Sequence, residues 1–488
     1  MFLFAALTLL ATLWCFQFFW KRKRLYELSW KIPGPMHFPF IGSAYMFLHG
    51  DSSEIAKRFM RLFDEHPELS KFWMGPELVF LVSKPEYLEV ILNSPGTFEK
   101  IELYKYTKPI LGDGMISAPV KVWKRHRKIL APALNQKILN EYPEIICQQC
   151  NTLIEILQTK VGGEEIDHCR YVTNCAIDIV GETIFGLPIS AQVNDANYSH
   201  LIDRLVEIVF VKAFRLSYHF DFIFRWTQDY KDQEELVNKI KKVSRGLIEK
   251  KKEQLGAQLE TEENKKKPLL DLLVEKYLTK EFTEEEVEDE VNTFLLAGTD
   301  TNATSISFAL TLLGMHPIIQ YHLYKEVMEV LGPDRTITLE DLPKLKYTER
   351  VIKETLRIFP GAPFIGRVVE EDIILPDLVI PKGSNLAIGY LHLHRSPKYW
   401  DDPLKFDPDR FLPERSLNRH PYTWLPFSGG PRNCVGMKYG MMVVKIVVAM
   451  VIRKFKVTSS IKAIEDIELT TNIVLKPKNG FKLAFELR

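Results

Sequence analysis

This sequence predicts a mainly α-helical fold with small β-sheets (α+β), built as one large domain behind an N-terminal membrane segment. Three observations predict it. Long runs repeat apolar residues at spacings of three and four, the period of a half-buried helix. Two short segments alternate like strands around a Gly-Pro turn. Of the 488 residues, 46% are hydrophobic, enough for a large core, and no linker composition divides them. A net charge of +1 implies no bulk attraction to nucleic acid. Six cysteines (Cys15, Cys147, Cys150, Cys169, Cys175 and Cys434) make no disulfide framework in so long a chain and fit a reducing, cytosol-facing setting. Cys147 and Cys150 form a CxxC, read as coincidence on an amphipathic helix.

The elements follow in order. Residues 1–20 carry no charged side chain, and about 20 apolar residues span a bilayer as a helix. Lys21-Arg22-Lys23-Arg24 follow, and positive charge stays cytoplasmic. A cleaved signal would have a basic start and small residues at the cut. Here the run ends in Phe16, Phe18, Phe19 and Trp20, so an uncleaved anchor is expected. Residues 21–42 read as a basic and proline-rich hinge, with Pro33-Gly34-Pro35 and Pro39 extending the chain. Residues 43–488 form the main body. Within it, Phe72 to Met74 and Leu78 to Val82 read as strands joined at Gly75-Pro76. Helical spacing marks Glu141 to Gln158, Val172 to Ile184, Leu201 to Ala213 and Glu234 to Leu259. The charged stretch Lys239 to Lys267, with its Lys250–Lys252 and Lys265–Lys267 triplets, reads as a solvated helix and loop.

Three later motifs carry chemistry. Glu288 to Leu313 reads as a long core helix with Ala297-Gly298-Thr299-Asp300-Thr301 at its middle. The Thr301 hydroxyl can bond the carbonyl of Ala297 one turn back. Asp300 beside it can relay protons, and Gly298 leaves room for a flat cofactor and a bound gas. Tyr347 to Phe359 places Glu354 and Arg357 on one helix face. Phe427 to Gly436 reads Phe-Ser-Gly-Gly-Pro-Arg-Asn-Cys-Val-Gly and precedes an apolar helical pattern from Met437 to about Phe455. A lone cysteine in a Gly-rich turn is commonly a buried free thiol. The alternative is a thiolate offered to a metal, its pKa lowered by the coming helix N-terminus. Arg432 can hold a carboxylate in a two-point fork.

Phe427, Gly430, Arg432, Cys434 and Gly436 resemble the haem-binding signature of the cytochrome P-450 haem-thiolate monooxygenases, and the other motifs follow in that family's order. The resemblance implies the P-450 fold, with haem b between the long central helix and the helix after the Cys loop. It implies Cys434 as the iron ligand and Thr301 with Asp300 in oxygen activation. It implies Trp123 and Arg127 (a WxxxR), Arg367 and Arg432 as propionate contacts, and Glu354, Arg357 and Arg410 as a structural triad. His126 stands among basic neighbours and reads as a surface or reductase-facing residue. At least one of His392 and His394 reads as packing the region before Arg410. The aromatic segment Leu201 to Tyr230 corresponds to the family's pocket roof, which dips toward the membrane.

Leu111 to Val120, Val291 to Ala297 and Gly361 to Ile365 should line an apolar pocket, with Ile116, Phe294, Phe364 and Ile365 as candidates. The motifs LGDGMISA, WKRHRKILAPAL and PFSGGPRNCVG resemble the fatty-acid ω-hydroxylase-like clan, particularly insect members. Some members carry a glutamate that esterifies haem at the position of Ala297; the alanine here implies no such link. The expected reaction inserts one oxygen atom from dioxygen into a lipophilic molecule: a fatty acid, hormone or steroid, terpenoid or xenobiotic such as an insecticide. Electrons would come from NADPH through a separate NADPH-cytochrome P-450 reductase, with cytochrome b5 as a further candidate donor. No Rossmann fingerprint supplies a built-in nicotinamide or flavin domain. The basic residues Lys121, Lys124, Arg125 and Lys128 offer a reductase-docking face. The implied location is the endoplasmic reticulum membrane, catalytic domain toward the cytosol. The rival readings are a haem-thiolate isomerase acting on peroxides and a non-catalytic haem carrier or sensor.

Overall fold

Helix α1 (Phe2–Ser29) begins the chain and is long and apolar enough to cross a membrane. The computed structural model describes residues 1–134, 140–194, 198–257 and 267–488. Leu259, Lys265 and Lys266, included in the expected helix and basic triplet, lie outside them. α1 does not stop at the basic block: it runs through Lys21–Arg24, because lysine and arginine are good helix formers. The expected hinge therefore starts as helix. Arg24 pairs with Asp372, and Tyr26 stacks on Trp73 at 4.5 Å. Phe40 packs its ring against Trp14 and Phe18 at 5.3 and 4.9 Å. Pro33 O accepts the Lys71 amide at 2.9 Å, so the Pro-rich segment lies on the body.

After α2 (Ser52–Glu65), strands β1 (Leu69–Met74) and β2 (Glu77–Val82) pair antiparallel, with Leu69 opposite Val82. The positive φ of Gly75 makes the turn between them. β2 continues in parallel to β4 (Asn385–Gly389), which pairs antiparallel with β3 (Phe364–Val368), giving the order β1-β2-β4-β3. A hairpin of β5 (Leu469–Thr471) and β6 (Leu475–Pro477) lies near the C-terminus. Apart from two further small sheets, most of the remaining body is helical, as the spacing predicts: α3 (Val120–Leu130), α4 (Tyr142–Gln158), α5 (Cys169–Val180), α6 (Tyr198–Phe214), α7 (Gln228–Ala257), α8 (Glu284–Met315), α9 (Lys346–Ile358) and α10 (Met437–Lys454). The predicted helix from Val172 to Ile184 changes at Gly181 into a π turn, Gly181–Phe185.

α8 is the axis. A capping box of Thr283 and Glu286 starts it, satisfying two orphan donors. It packs against α5, α9 and α10, and buries Ile306, Phe308, Ala309 and Leu312 in the main core. Phe308 stacks on Phe359 at 4.1 Å. α10, with Val443 through Ile452 buried almost without break, holds the opposite side of that core. The aromatic segment divides: Phe210, Phe214 and Phe224 are buried, whereas Phe220, Phe222 and Trp226 are exposed.

Candidate active site

A cavity of about 910 Å³ lies between α8 and the loop before α10, and extends to the β1–β4 sheet and α6. The expected apolar residues Ile116, Phe294, Phe364 and Ile365 all line it. So do Phe59 from α2, Phe72 from β1, Phe210 and Phe214 from α6, and Ile473 from the β5–β6 turn. The loop segment of the wall is fixed by two glycines. Gly112 (φ 47°) and Gly114 press on the carboxylate of Asp289 and the hydroxyl of Thr293, where a Cβ would collide. Asp289 accepts the Asp113 amide at 2.8 Å. Burial pushes its carboxyl up to about 6, against the pull of that amide.

Cys434 ends the loop, its sulfur open to the cavity. Its amide donates to Phe427 O at 2.9 Å, closing the loop into a tight turn. Gly430 is the glycine this turn requires: φ is 69°, and a Cβ would strike the carbonyl of Leu92. The expected lowering of the thiol pKa does not occur in the protein alone. Burial raises it, outweighing the Gly436 amide and the charge of Arg127.

A cationic wall faces the same space. Arg127 donates to Asn433 O and Oδ1 at 2.9 and 2.8 Å, tying α3 to the Cys loop. Arg432 stacks 4.9 Å from Trp123 and donates to the carbonyls of Phe98 and Ala118, so its fork holds backbone here. Arg367 is buried, and among the described residues its guanidinium makes one bond, a long one to Arg432 O at 3.5 Å. Arg367 Nη1 and Arg432 Nε have no partner among the described residues. Lys100, overlooked in the sequence, lines the cavity with Arg127 and Arg432, while Arg367 lies behind that wall, between the lining residues Gly366 and Val368. Burial, then repulsion from Arg367 and Arg432, pushes Lys100 well below the ordinary lysine value and Arg432 down to about 10. Glu99 offsets this field, but its oxygens accept the amides of Lys100 and Val120. Buried cations without carboxylates, beside a free thiol, fit a flat, twofold-anionic metal chelate.

On the α8 side, Thr301 Oγ1 donates to Ala297 O at 2.6 Å. Asn302 Nδ2 bonds Gly298 O at 2.7 Å, and Ser305 Oγ bonds Thr301 O at 2.7 Å. Gly298 lines the cavity, and the Cβ it lacks would meet Val180 at 3.1 Å, so it also admits α5 against α8. Asp300 is buried and paired with Lys476 at 2.6 Å.

Glu354, Arg357 and Arg410 meet out of solvent. Arg357 binds Glu354 in a two-point fork at 2.7 and 2.9 Å, and Arg410 Nε lies 3.3 Å from Glu354 Oε1. Arg357 also holds the carbonyls of His394 and Pro403 at 2.7 Å, and Glu354 accepts the Asp407 amide at 3.1 Å. His394, fully buried, accepts the Leu425 amide just before the Cys loop at 2.8 Å. His126 differs from expectation. Its ring is fully buried and bonds Glu290 Oε1 at 2.6 Å, because it lies on the buried face of α3 with Trp123 and Leu130. Lys121, Lys124, Arg125 and Lys128 are exposed, with Arg125 paired to Glu286.

The family described as Cytochrome P450 matches residues 32–485. The chain is 34% identical over 492 residues to cytochrome P450 4c3 of Drosophila melanogaster, covering 96% of this chain and 91% of that one. It is 34% identical over 468 residues to cytochrome P450 4V2 of Mus musculus, covering 92% and 88%. Identity to cytochrome P450 4c21 of Blattella germanica is 30% over 498 residues, covering 99% of each. With its cavity, Cys loop and whole body matched in this way, the chain belongs to the cytochrome P450 family, in the clan that these insect and vertebrate relatives share.

Proposed function

We propose that the protein is a membrane-anchored haem-thiolate monooxygenase acting on lipophilic small molecules. Family membership makes it an oxidoreductase that works with haem b. The observation that carries the reading is the open sulfur of Cys434 facing a buried cationic wall across one cavity. Haem bound there supplies reductive activation of dioxygen: with two electrons and two protons, one atom enters a C–H bond and the other leaves as water. Cys434 Sγ would hold the iron. Arg127, Arg367, Arg432, Lys100 and Trp123 would seat the propionates, and Ala297 offers no carboxylate for an ester bond.

Asp300 would take a proton from water on the outer side and release it toward Thr301, returning to carboxylate each cycle. Thr301, bonded to Ala297 O, keeps its oxygen beside the cavity to pass that proton on. Phe294, Ile116, Phe364 and Phe210 exclude water and hold an apolar substrate by burial. Glu354 with Arg357 and Arg410 would fix the approach to the Cys loop, without touching substrate. The exposed lysines of α3 would dock an acidic NADPH-dependent reductase. α1 would anchor the body in the endoplasmic reticulum membrane, facing the cytosol.

The test is reconstitution with haem, reductase and NADPH against a panel of fatty acids, hormones, terpenoids and insecticides. Mass spectrometry should find one added oxygen atom in a product. Cys434→Ala should abolish the thiolate-type carbon monoxide spectrum and the product. A wild-type protein without that spectrum would overturn the assignment.

A further inference from the structure

The loop 99–119 supplies part of the cavity wall through Lys100, Leu111, Met115 and Ile116, and its neck is closed twice. From the Cys loop, Arg432 donates to the carbonyls of Phe98 and Ala118, one on each side of the neck. From within the neck, the side chain of Glu99 reaches across. Its Oε2 accepts the amide of Val120, the first residue of α3, at 2.9 Å, and its Oε1 accepts the amide of Lys100 at 3.2 Å. Its main-chain carbonyl accepts the amide of Val368, next to Arg367 on β3, at 2.9 Å. One residue thus joins the wall loop, the start of α3 and the strand that carries Arg367.

The charge of Glu99 has a second effect. Lys100, Arg367 and Arg432 are each pushed down by burial, and Glu99 pulls all three back up. It acts from beyond ion-pair contact, because both its oxygens are taken by backbone amides. A carboxylate so placed lowers the cost of buried cations without using their donors, and Arg367 Nη1 and Arg432 Nε stay unpartnered among the described residues. The same charge opposes any other anion brought to these cations. Glu99 therefore favours the folded chain without haem and disfavours the seating of propionates beside it.

We propose that Glu99 is a positioning residue and a standing counter-anion, which holds the neck of loop 99–119 and steadies Lys100, Arg367 and Arg432 while the chain folds, and which weakens the later grip on haem. The proposal rests on the reading of the cavity as the haem site given above. Shape and charge are then separable at one position: the neck needs an acceptor, whereas the cations need an ion.

The test uses the full-length chain, haem-loaded and haem-free, with Glu99→Gln, Glu99→Asp and Glu99→Ala. Gln keeps an acceptor for the Val120 amide and removes the charge; Asp keeps the charge. In E99Q, transfer of haem to a scavenging globin should slow on the order of tenfold. The melting temperature of haem-free E99Q should fall by a few degrees. E99D should transfer haem at close to the wild-type rate. E99A removes acceptor and charge together, and should raise peptide-level hydrogen exchange across 99–120 of the loaded protein on the order of tenfold, with E99Q near wild type. A role confined to the neck would leave haem transfer in E99Q unchanged or hasten it, and would place E99D, with its shorter reach, beside E99A. Either result, or unchanged exchange in E99A, would overturn the proposal. Should haem-free E99Q fail to fold, transfer from the loaded protein decides alone. A wild-type chain without the thiolate-type carbon monoxide spectrum would end the reading of the cavity, while haem-free melting of E99Q still judges the counter-anion. A normal spectrum with no slowing in E99Q would end the role of Glu99 alone.

Discussion

Two pairs of arginines share the interior of this protein and live under opposite conditions. Arg357 and Arg410 surround Glu354, and donors of both also meet the backbone carbonyls of Asp402, Pro403 and His394, while Arg410 Nε faces Glu354 Oε1 at 3.3 Å as an ion pair without a hydrogen bond. Arg367 and Arg432 are nearly as buried, yet no carboxylate pairs with either among the described residues, and each keeps an unpartnered nitrogen. Isolated charges in a protein interior are costly unless matched. The first pair therefore has its carboxylate within the polypeptide. The second needs an anion that the polypeptide lacks, and the place of Arg432 on the cavity wall says where that anion goes.

The largest effect should come from breaking the complete pair. Glu354→Gln leaves two buried guanidiniums facing a neutral amide, at a cost of roughly 3–5 kcal/mol. Thermal unfolding should show a large loss of stability, with or without haem. Breaking the incomplete pair should behave differently. Arg367→Met removes a charge with almost no protein partner, so the haem-free protein should keep its melting temperature or gain. Its grip on haem should weaken by about 1.5–3 kcal/mol, a ten- to hundredfold faster loss to a haem-scavenging globin. Equal losses in the two variants with haem absent would erase the contrast.

Asp289 gives the smallest effect and the opposite sign of charge. It is a buried acid without a cation in contact, and its pKa rises to about 6. The unfolded chain should titrate near 3.9. For a raised carboxyl, the stabilising contribution is present below the unfolded value and is lost as pH rises through 6. Asp289→Asn can keep the Asp113 contact and should raise the melting temperature by a few degrees at pH 7.5. The gain should disappear by about pH 4, as scanning calorimetry across pH would show.

The helical body was legible because its periods are local. The face shared by Glu354 and Arg357, and the bond from Thr301 to Ala297, follow from spacings of three and four. Residues whose partners lie far along the chain were not legible. Lys476 meets Asp203 and Asp300 only through tertiary packing, and Lys100 lies in a loop with no period to place it. His126 was misplaced because its basic neighbours suggested solvent, whereas its partner Glu290 is 164 residues away. The extent of α1 was misjudged for a different reason: charge marks a membrane boundary, but not the end of a helix.

Gly112 and Gly114 set a limit on how this chamber can be reshaped. Any side chain at either position would strike Asp289 or Thr293, so that stretch of wall has a single shape. New selectivity must then be sought at the facing surface, in Val209, Phe210 and Phe214 of α6 or Ile473 at the hairpin tip. A library built there would vary the volume offered to a guest, leaving the floor beneath it unchanged.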